Sequence, residues 1–166
     1  MRVIAVDVGV KVCGYVVCEI KDCQIELLVE DEIKTHAQQS FPKKLSFIFE
    51  ELSQVSERYK PEVLIVEKLY SHYKHPTTLG VLAQVRGIVI LLVEKYNLGF
   101  YEFSPTKVRK AFLGRGSAKS SQVKKMAENI VGRRLKSLHT ADAFSLVAAF
   151  SYGRRIPSWG FYFDKK

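Results

Sequence analysis

Four side chains in this sequence are of the type and spacing that hold a cation. Asp7 ends the apolar run Val3-Ile4-Ala5-Val6, and Glu67 ends a second run of the same plan, Val63-Leu64-Ile65-Val66. His139 and Asp142 stand three apart near the start of a long apolar segment, so on a helix they share a face. A carboxylate is costly to bury without a partner, and two carboxylates in one place repel unless something positive lies between them. A divalent cation is the usual answer. Each piece alone also has a plainer reading: Asp7 as a cap on the turn toward Lys11, and His139 with Asp142 as a helix cap beside a packed histidine. Taken together, the four point to a metal centre.

The elements that must position them follow from hydrophobic patterning. The opening run reads as a strand buried on both faces, with Gly9 turning the chain at its end. Val12–Cys18 and Gln24 to about Lys34 are expected as two further strands, which with the first make an antiparallel meander. Ser40-Phe41-Pro42 opens a helix that carries Leu45, Ile48, Phe49, Leu52 and Val55 at helical spacing and ends near Tyr59-Lys60-Pro61. The strand over 62–67 then returns to the same sheet, parallel to the first, which brings Asp7 and Glu67 side by side.

Residues 68–77 read as a polar, aromatic loop. Tyr70 and Tyr73, next to Lys68 and Lys74, suit stacking on bases beside phosphates; tyrosines packed back on the domain are the alternative, and His72 and His75 read as solvated. A long helix is expected over Thr78–Tyr96. It is apolar nearly all round at Ile88–Val93, so its outer face meets either a second subunit or the C-terminal helices of the same chain. A strand follows over Leu98–Phe103, then a short helix from Ser104-Pro105 to about Phe112. The loop Gly114-Arg115-Gly116-Ser117-Ala118-Lys119 comes next, with glycine donors and cations suited to phosphate. A helix starting at Ser117 or Ala118 bears Lys119, Lys124 and Lys125. Gly132-Arg133-Arg134-Leu135-Lys136 breaks it, and the last helix runs from about Leu138 to Tyr152.

Length and a 47% hydrophobic composition suit one domain with a real core. No unbroken stretch of 18 apolar residues occurs and the chain opens directly on a strand, so no membrane span and no signal segment are expected, and the location is read as cytoplasmic. Cys13, Cys18 and Cys23 fit no zinc spacing and read as reduced thiols, with Cys13 and Cys18 on opposite sides of their strand. Charge is uneven. Residues 1–100 hold 12 Lys and Arg against 13 Asp and Glu, whereas residues 101–166 hold 14 against 4. A basic half of that kind suits a polyanion such as nucleic acid.

In order along the chain, these features resemble the RuvC-type Holliday junction resolvases, over about residues 1–153. The carriers are Asp7-Val8-Gly9 with Gly14-Tyr15, Val66-Glu67-Lys68-Leu69-Tyr70, Gln84-Val85-Arg86-Gly87, Gly114-Arg115-Gly116-Ser117-Ala118 with Gln122-Val123, and Ala141-Asp142-Ala143. The resemblance implies an α/β, ribonuclease H-like fold. Its five-stranded mixed sheet would be an antiparallel β1–β3 meander followed by parallel β4 and β5, flanked by helices, with residues 154–166 (Trp159 to Phe163 included) as a basic, aromatic tail. It implies a homodimer that cuts four-way DNA junctions by paired nicks in recombination and repair, through two-metal hydrolysis leaving 5′ phosphate and 3′ hydroxyl ends. A branch-migration motor complex is a candidate further partner, which the sequence itself does not show.

By position, the family's metal ligands and catalytic residues fall on Asp7, Glu67, His139 and Asp142. The family's usual residue at position 139 is aspartate; imidazole favours softer cations, so the expected preference shifts from magnesium toward manganese. Val8 replaces the usual proline. The aromatic that stacks on DNA falls on Tyr70, one basic helper falls near Arg109, and a second falls on Ser120 by strict spacing, next to Lys119. The DNA-binding candidates are Tyr70, Tyr73, Lys74, Arg86, Lys107, Arg109, Arg115, Lys119 and Lys124, and the helper role among Lys119, Lys124 and Lys125 is open. The rival readings are a ribonuclease H-type or YqgF-type enzyme of the same fold and a non-catalytic junction-binding module. A sugar-kinase or actin-like ATPase needs two such domains, which 166 residues do not hold.

Overall fold

Each carboxylate strand ends where its apolar run ends, and that sets the architecture. The computed structural model describes residues 1–22, 24–69 and 76–154. Five strands, β1 (Arg2–Asp7), β2 (Val12–Lys21), β3 (Gln24–Lys34), β4 (Val63–Glu67) and β5 (Gly99–Phe103), lie in the order β3-β2-β1-β4-β5. β1, β2 and β3 pair antiparallel, and β1–β4 and β4–β5 pair parallel. This is the mixed sheet expected from the sequence. The helices are α1 (Phe41–Tyr59), α2 (Pro76–Tyr96), α3 (Pro105–Leu113), α4 (Ser120–Val131) and α5 (Leu138–Gly153).

Alternation along β1 splits the core in two. Val3 and Ala5 face one layer with Phe144, Val147 and Phe150 of α5 and with Val123 and Ala127 of α4. Ile4 and Val6 face the other, with Ile48 and Leu52 of α1 and Val85, Val89 and Leu92 of α2. Cys18 lies in the first layer and Cys13 in the second, on opposite sides as expected, and both are free and buried. The side chains of α5 from Thr140 to Ser151 are buried apart from that of Asp142. Its apolar circumference is therefore absorbed between the sheet, α3 and α4, and each large side chain contributes about 1.5–3 kcal/mol by leaving water.

Three local readings are revised. β2 continues to Lys21 and closes a hairpin with β3, with Asp22 at a positive φ of 43°. α4 begins at Ser120 rather than Ser117 or Ala118; Ala118 is buried, and a Cβ on Gly116 would lie 2.5 Å from the Thr106 methyl, so this turn is packed down on α3 before the helix can start. α2, in contrast to the membrane reading, is long and apolar enough by length and composition to cross a bilayer. Here Val85, Val89 and Leu92 anchor it in the second core layer, so it serves as a helix of the globular fold. It lies on the opposite face of the sheet from α4 and α5, which removes those helices as its cover. Its outward side carries Gly80, Ala83, Gly87 and Leu91, the last 55% exposed.

Candidate metal centre at the ends of the central strands

Parallel pairing of β1 and β4 is in register through Val6 and Val66, so Asp7 and Glu67 emerge as neighbours from the two strands. By strand alternation both point to the α5 side, with Ala5 and Ile65. Gly9 is needed where β1 turns into β2: a Cβ there would lie 2.2 Å from the Val12 carbonyl oxygen. On the other side of Asp7 the register runs through Gly14 of β2 to Glu32 of β3. α5 begins directly above Gly14, whose missing side chain leaves room for the His139 backbone. Ser137 caps this helix: its hydroxyl accepts from the Thr140 amide at 3.2 Å, and its own amide donates to the Thr140 hydroxyl at 3.2 Å. His139 Nδ1 then lies 2.8 Å from Asp7 Oδ2.

The electrostatics show how crowded the cluster is. Burial, with the charges of Asp7 and Asp142 added, pushes Glu67 up to about 7, against the pull of Arg109. Burial and Asp7 also raise Asp142, opposed by a hydrogen bond from Ser120 and by the charges of Arg109 and His139. The Asp7 hydrogen bond holds the His139 imidazole above its usual value, against partial burial, and Glu32 and Asp142 add to it. Among the described residues, no three His, Cys, Asp or Glu side chains converge closely enough to hold an ion as they stand. Two of the four donors, His139 and Asp7, are closed on each other.

The donor set nonetheless fits a divalent cation. Three carboxylates and an imidazole are hard and borderline donors, and a cation would offset the charges of Asp7 and Asp142 that add to burial in raising Glu67. A stability test follows. Between pH 4.5 and about 7 the unfolded chain has released the Glu67 proton and the folded protein has not, so stability falls as pH rises. His139, raised in the fold, contributes stability below 6.5 that is lost as pH rises through its folded value, which is the same direction. In a chelator, the Tm is therefore expected to drop by about 5 °C from pH 5 to pH 8. Manganese should recover most of that drop at pH 8 and little at pH 5. Calorimetry on wild type and Glu67→Gln checks it: the variant should lose most of the pH slope, and an unchanged slope would rule out Glu67 as its source.

Of the other expected residues, Lys107, Arg115 and Lys119 are exposed on α3, in the glycine loop and at the start of α4. Arg109 is half-buried, with Nη2 3.5 Å from Ser120 Oγ. Lys124 is paired with Glu128 at 3.9 Å, and Lys125 is exposed. Arg86 lies on α2, on the opposite face of the sheet from the carboxylates, paired with Glu102. Tyr70, Tyr73 and Lys74, with His72 and His75, lie outside the described residues, as do Cys23 and Trp159 to Phe163.

Two residues near the cluster escaped sequence reading in their present roles. Ser120, at the position of a family base, donates to Asp142 and accepts from Arg109. Glu32 is held low by hydrogen bonds from Ser137 and Lys34, and by His139, in spite of burial. Its signal was its place on β3 opposite Gly14, which becomes visible only once the β2–β3 register is known.

Comparison with known proteins places the chain in a family and a fold. The family model described as crossover junction endodeoxyribonuclease RuvC matches residues 3–150. A protein of that name from Brachyspira hyodysenteriae is 30% identical over 156 residues, 94% of this chain and 97% of that protein. One from Brevibacillus brevis is 32% identical over 142 residues, covering 86% and 84%. In fold, the chain is similar to T. thermophilus RuvC in complex with Holliday junction substrate, with a TM-score of 0.85 at 24% identity over 93% of this chain and 95% of that one.

Proposed function

The chain belongs to the RuvC family of crossover junction endodeoxyribonucleases, and on that premise we propose that it resolves four-way DNA junctions by paired symmetric nicks in recombination and repair. The observation that carries the reading is the placement of Asp7 and Glu67 at the joined ends of β1 and β4 with Asp142 of α5 close by, where burial first, and then the charges of Asp7 and Asp142, push Glu67 up to about 7. Asp7, Glu67, His139 and Asp142 hold the divalent metal, two ions per site, magnesium or with a manganese preference. When bound, the metal supplies an activated water and charge stabilisation of the leaving 3′ oxygen. The cuts leave 5′ phosphate and 3′ hydroxyl ends.

The chain's own residues do the rest. Arg109, half-buried beside Ser120, and Lys119 at the mouth of α4 neutralise the attacked phosphate. Ser120 holds Asp142 in place through its hydroxyl. Lys107, Arg115 and Lys124 line the approach for the DNA backbone, and Tyr70, Tyr73 and Lys74 contact the junction. The nuclease unit spans residues 1–153, followed by the tail 154–166. Buried free thiols at Cys13 and Cys18 suit the reducing cytoplasm, and a branch-migration motor complex is a candidate further partner.

Paired nicks call for two sites, and α2 supplies a surface for a homodimer. Its outward stripe carries Gly80, Ala83, Gly87 and Leu91 beside a single polar Gln84, and both glycines have open space where a side chain would be. Leu91→Lys is expected to shift the solution mass from dimer to monomer at micromolar concentration, with a Tm within about 2 °C of wild type at equal pH; an unchanged dimer would place the interface elsewhere. The function itself is tested with labelled four-way junction, duplex and RNA–DNA hybrid across magnesium and manganese concentrations. Junction cleavage into ligatable products supports the reading. Preference for the hybrid, or tight junction binding with no cleavage in either metal, overturns it.

A further inference from the structure

Arg86 stands behind the carboxylate cluster, on the other face of the sheet. Strand alternation puts Glu67 on the α5 side with Ile65, and puts Phe100 on the α2 side; Glu102, two residues after Phe100, shares that side. From α2, Arg86 reaches the sheet's end with a side chain only 15% exposed. Its Nε donates to the Glu67 main-chain carbonyl at 3.4 Å, Nη2 pairs with Glu102, and the group lies 6.0 Å from the centre of the Phe100 ring. The other Glu102 oxygen is 3.6 Å from Lys68 Nζ, in the residue that follows Glu67. Arg86 therefore joins α2, the last residue of β4 and the penultimate residue of β5.

We propose that Arg86 is a positioning residue which, through Glu102 and the Glu67 carbonyl, fixes the end of β4 and so the direction of the Glu67 carboxylate, tying the subunit-contact helix to the metal centre. β4 ends at Glu67, so without this brace the ligand sits on a strand terminus with a single ladder bond beyond it, from the Lys68 amide to the Phe103 carbonyl at 2.8 Å. A planar guanidinium can hold a carbonyl and a carboxylate at once in fixed geometry, which an ammonium cannot. A direct phosphate contact would need the guanidinium turned to solvent; here Nε and Nη2 are engaged inside the fold. The proposal rests on the reading of Glu67 as a metal ligand.

The test compares Arg86→Gln, Arg86→Lys and Glu102→Gln with wild type. Three quantities are read: the manganese concentration for half-maximal thermal stabilisation, the same for cleavage, and junction affinity in chelator across a salt series. Both neutralising variants are expected to raise the manganese requirement roughly 10-fold. Arg86→Lys should fall between them and wild type, and the double variant should do no worse than either single one. Junction affinity and its salt slope in chelator should stay within about 2-fold. Weaker binding with a salt slope reduced by about one, at an unchanged manganese requirement, would make Arg86 a phosphate contact and overturn the proposal. If Arg86→Gln fails to fold, Glu102→Gln and Arg86→Lys carry the same comparison. Glu67→Gln separates the premise: if that variant keeps manganese stabilisation, Glu67 is not a ligand; if it loses it while the Arg86 and Glu102 variants keep the wild-type requirement, the bracing role alone fails.

Discussion

Asp7→Asn is expected to lower junction cleavage at least about 10³-fold while leaving junction affinity in chelator within about 2-fold of wild type. Asparagine has the shape of aspartate and can still meet His139, so β1 and its turn stay in place. What is lost is the negative charge at the centre of the cluster, the one that acts on Glu67, Asp142 and His139 together. A second readout is independent of turnover. With the Asp7 charge gone, the Glu67 carboxyl should titrate below its wild-type value of about 7, measured by NMR on the carboxyl carbons. Cleavage at the wild-type rate would remove Asp7 from the mechanism, and an unmoved Glu67 titration would show that the two groups are not coupled.

Gly14→Ala is expected to be nearly as damaging, though residue 14 carries no functional group. A Cβ at this position would lie 2.4 Å from the His139 carbonyl carbon and 2.6 Å from its Cβ. Those atoms belong to the backbone turn that opens α5, so no rotamer change relieves the clash; the helix must lift from the sheet. α5 is the centre of one core layer, and overpacking of this kind costs about 1–3 kcal/mol, or roughly 5–10 °C in Tm for a chain of this size. The same lift moves His139 away from Asp7, and misplacement by about 1 Å is worth on the order of 10² in rate. Calorimetry and the junction assay measure the two effects. Wild-type Tm with wild-type cleavage would mean that α5 does not rest on β2 at this point.

The carboxylate strands were legible because an apolar run broken by a single acid is a strong pattern, and because a strand–helix–strand crossover can return in only one hand. That logic put Asp7 beside Glu67 before any coordinates. The partners of His139 were harder to see. Glu32 depends on the register of β3 against β2, which contains an irregularity between Val17 and Cys18, and a one-residue slip would turn Glu32 to the other face. Ser120 was marked only as the place where a base was missing; its link to Asp142 needs α4 to start three residues later than its pattern suggested. The outer face of α2 left two partners open on composition alone, and only the sheet order, with α5 on the opposite side, decided against the intrachain one.

Among the described residues, β3 has a neighbour on one side only. An open strand edge is an invitation for another chain to add itself, and such growth does not close. Here the strand carries Glu26, Glu30, Asp31 and Glu32, and two of these form ion pairs with the segment before α5: Arg133 pairs with Glu30, and Lys136 with Asp31. The clamp sets down the turn that carries His139, and it also occupies side chains along the sheet's outer border. A second copy approaching that border meets repulsion between like acids and a loop in the way. Addition of another strand along the β3 border is thereby discouraged, which limits growth of the sheet on that side.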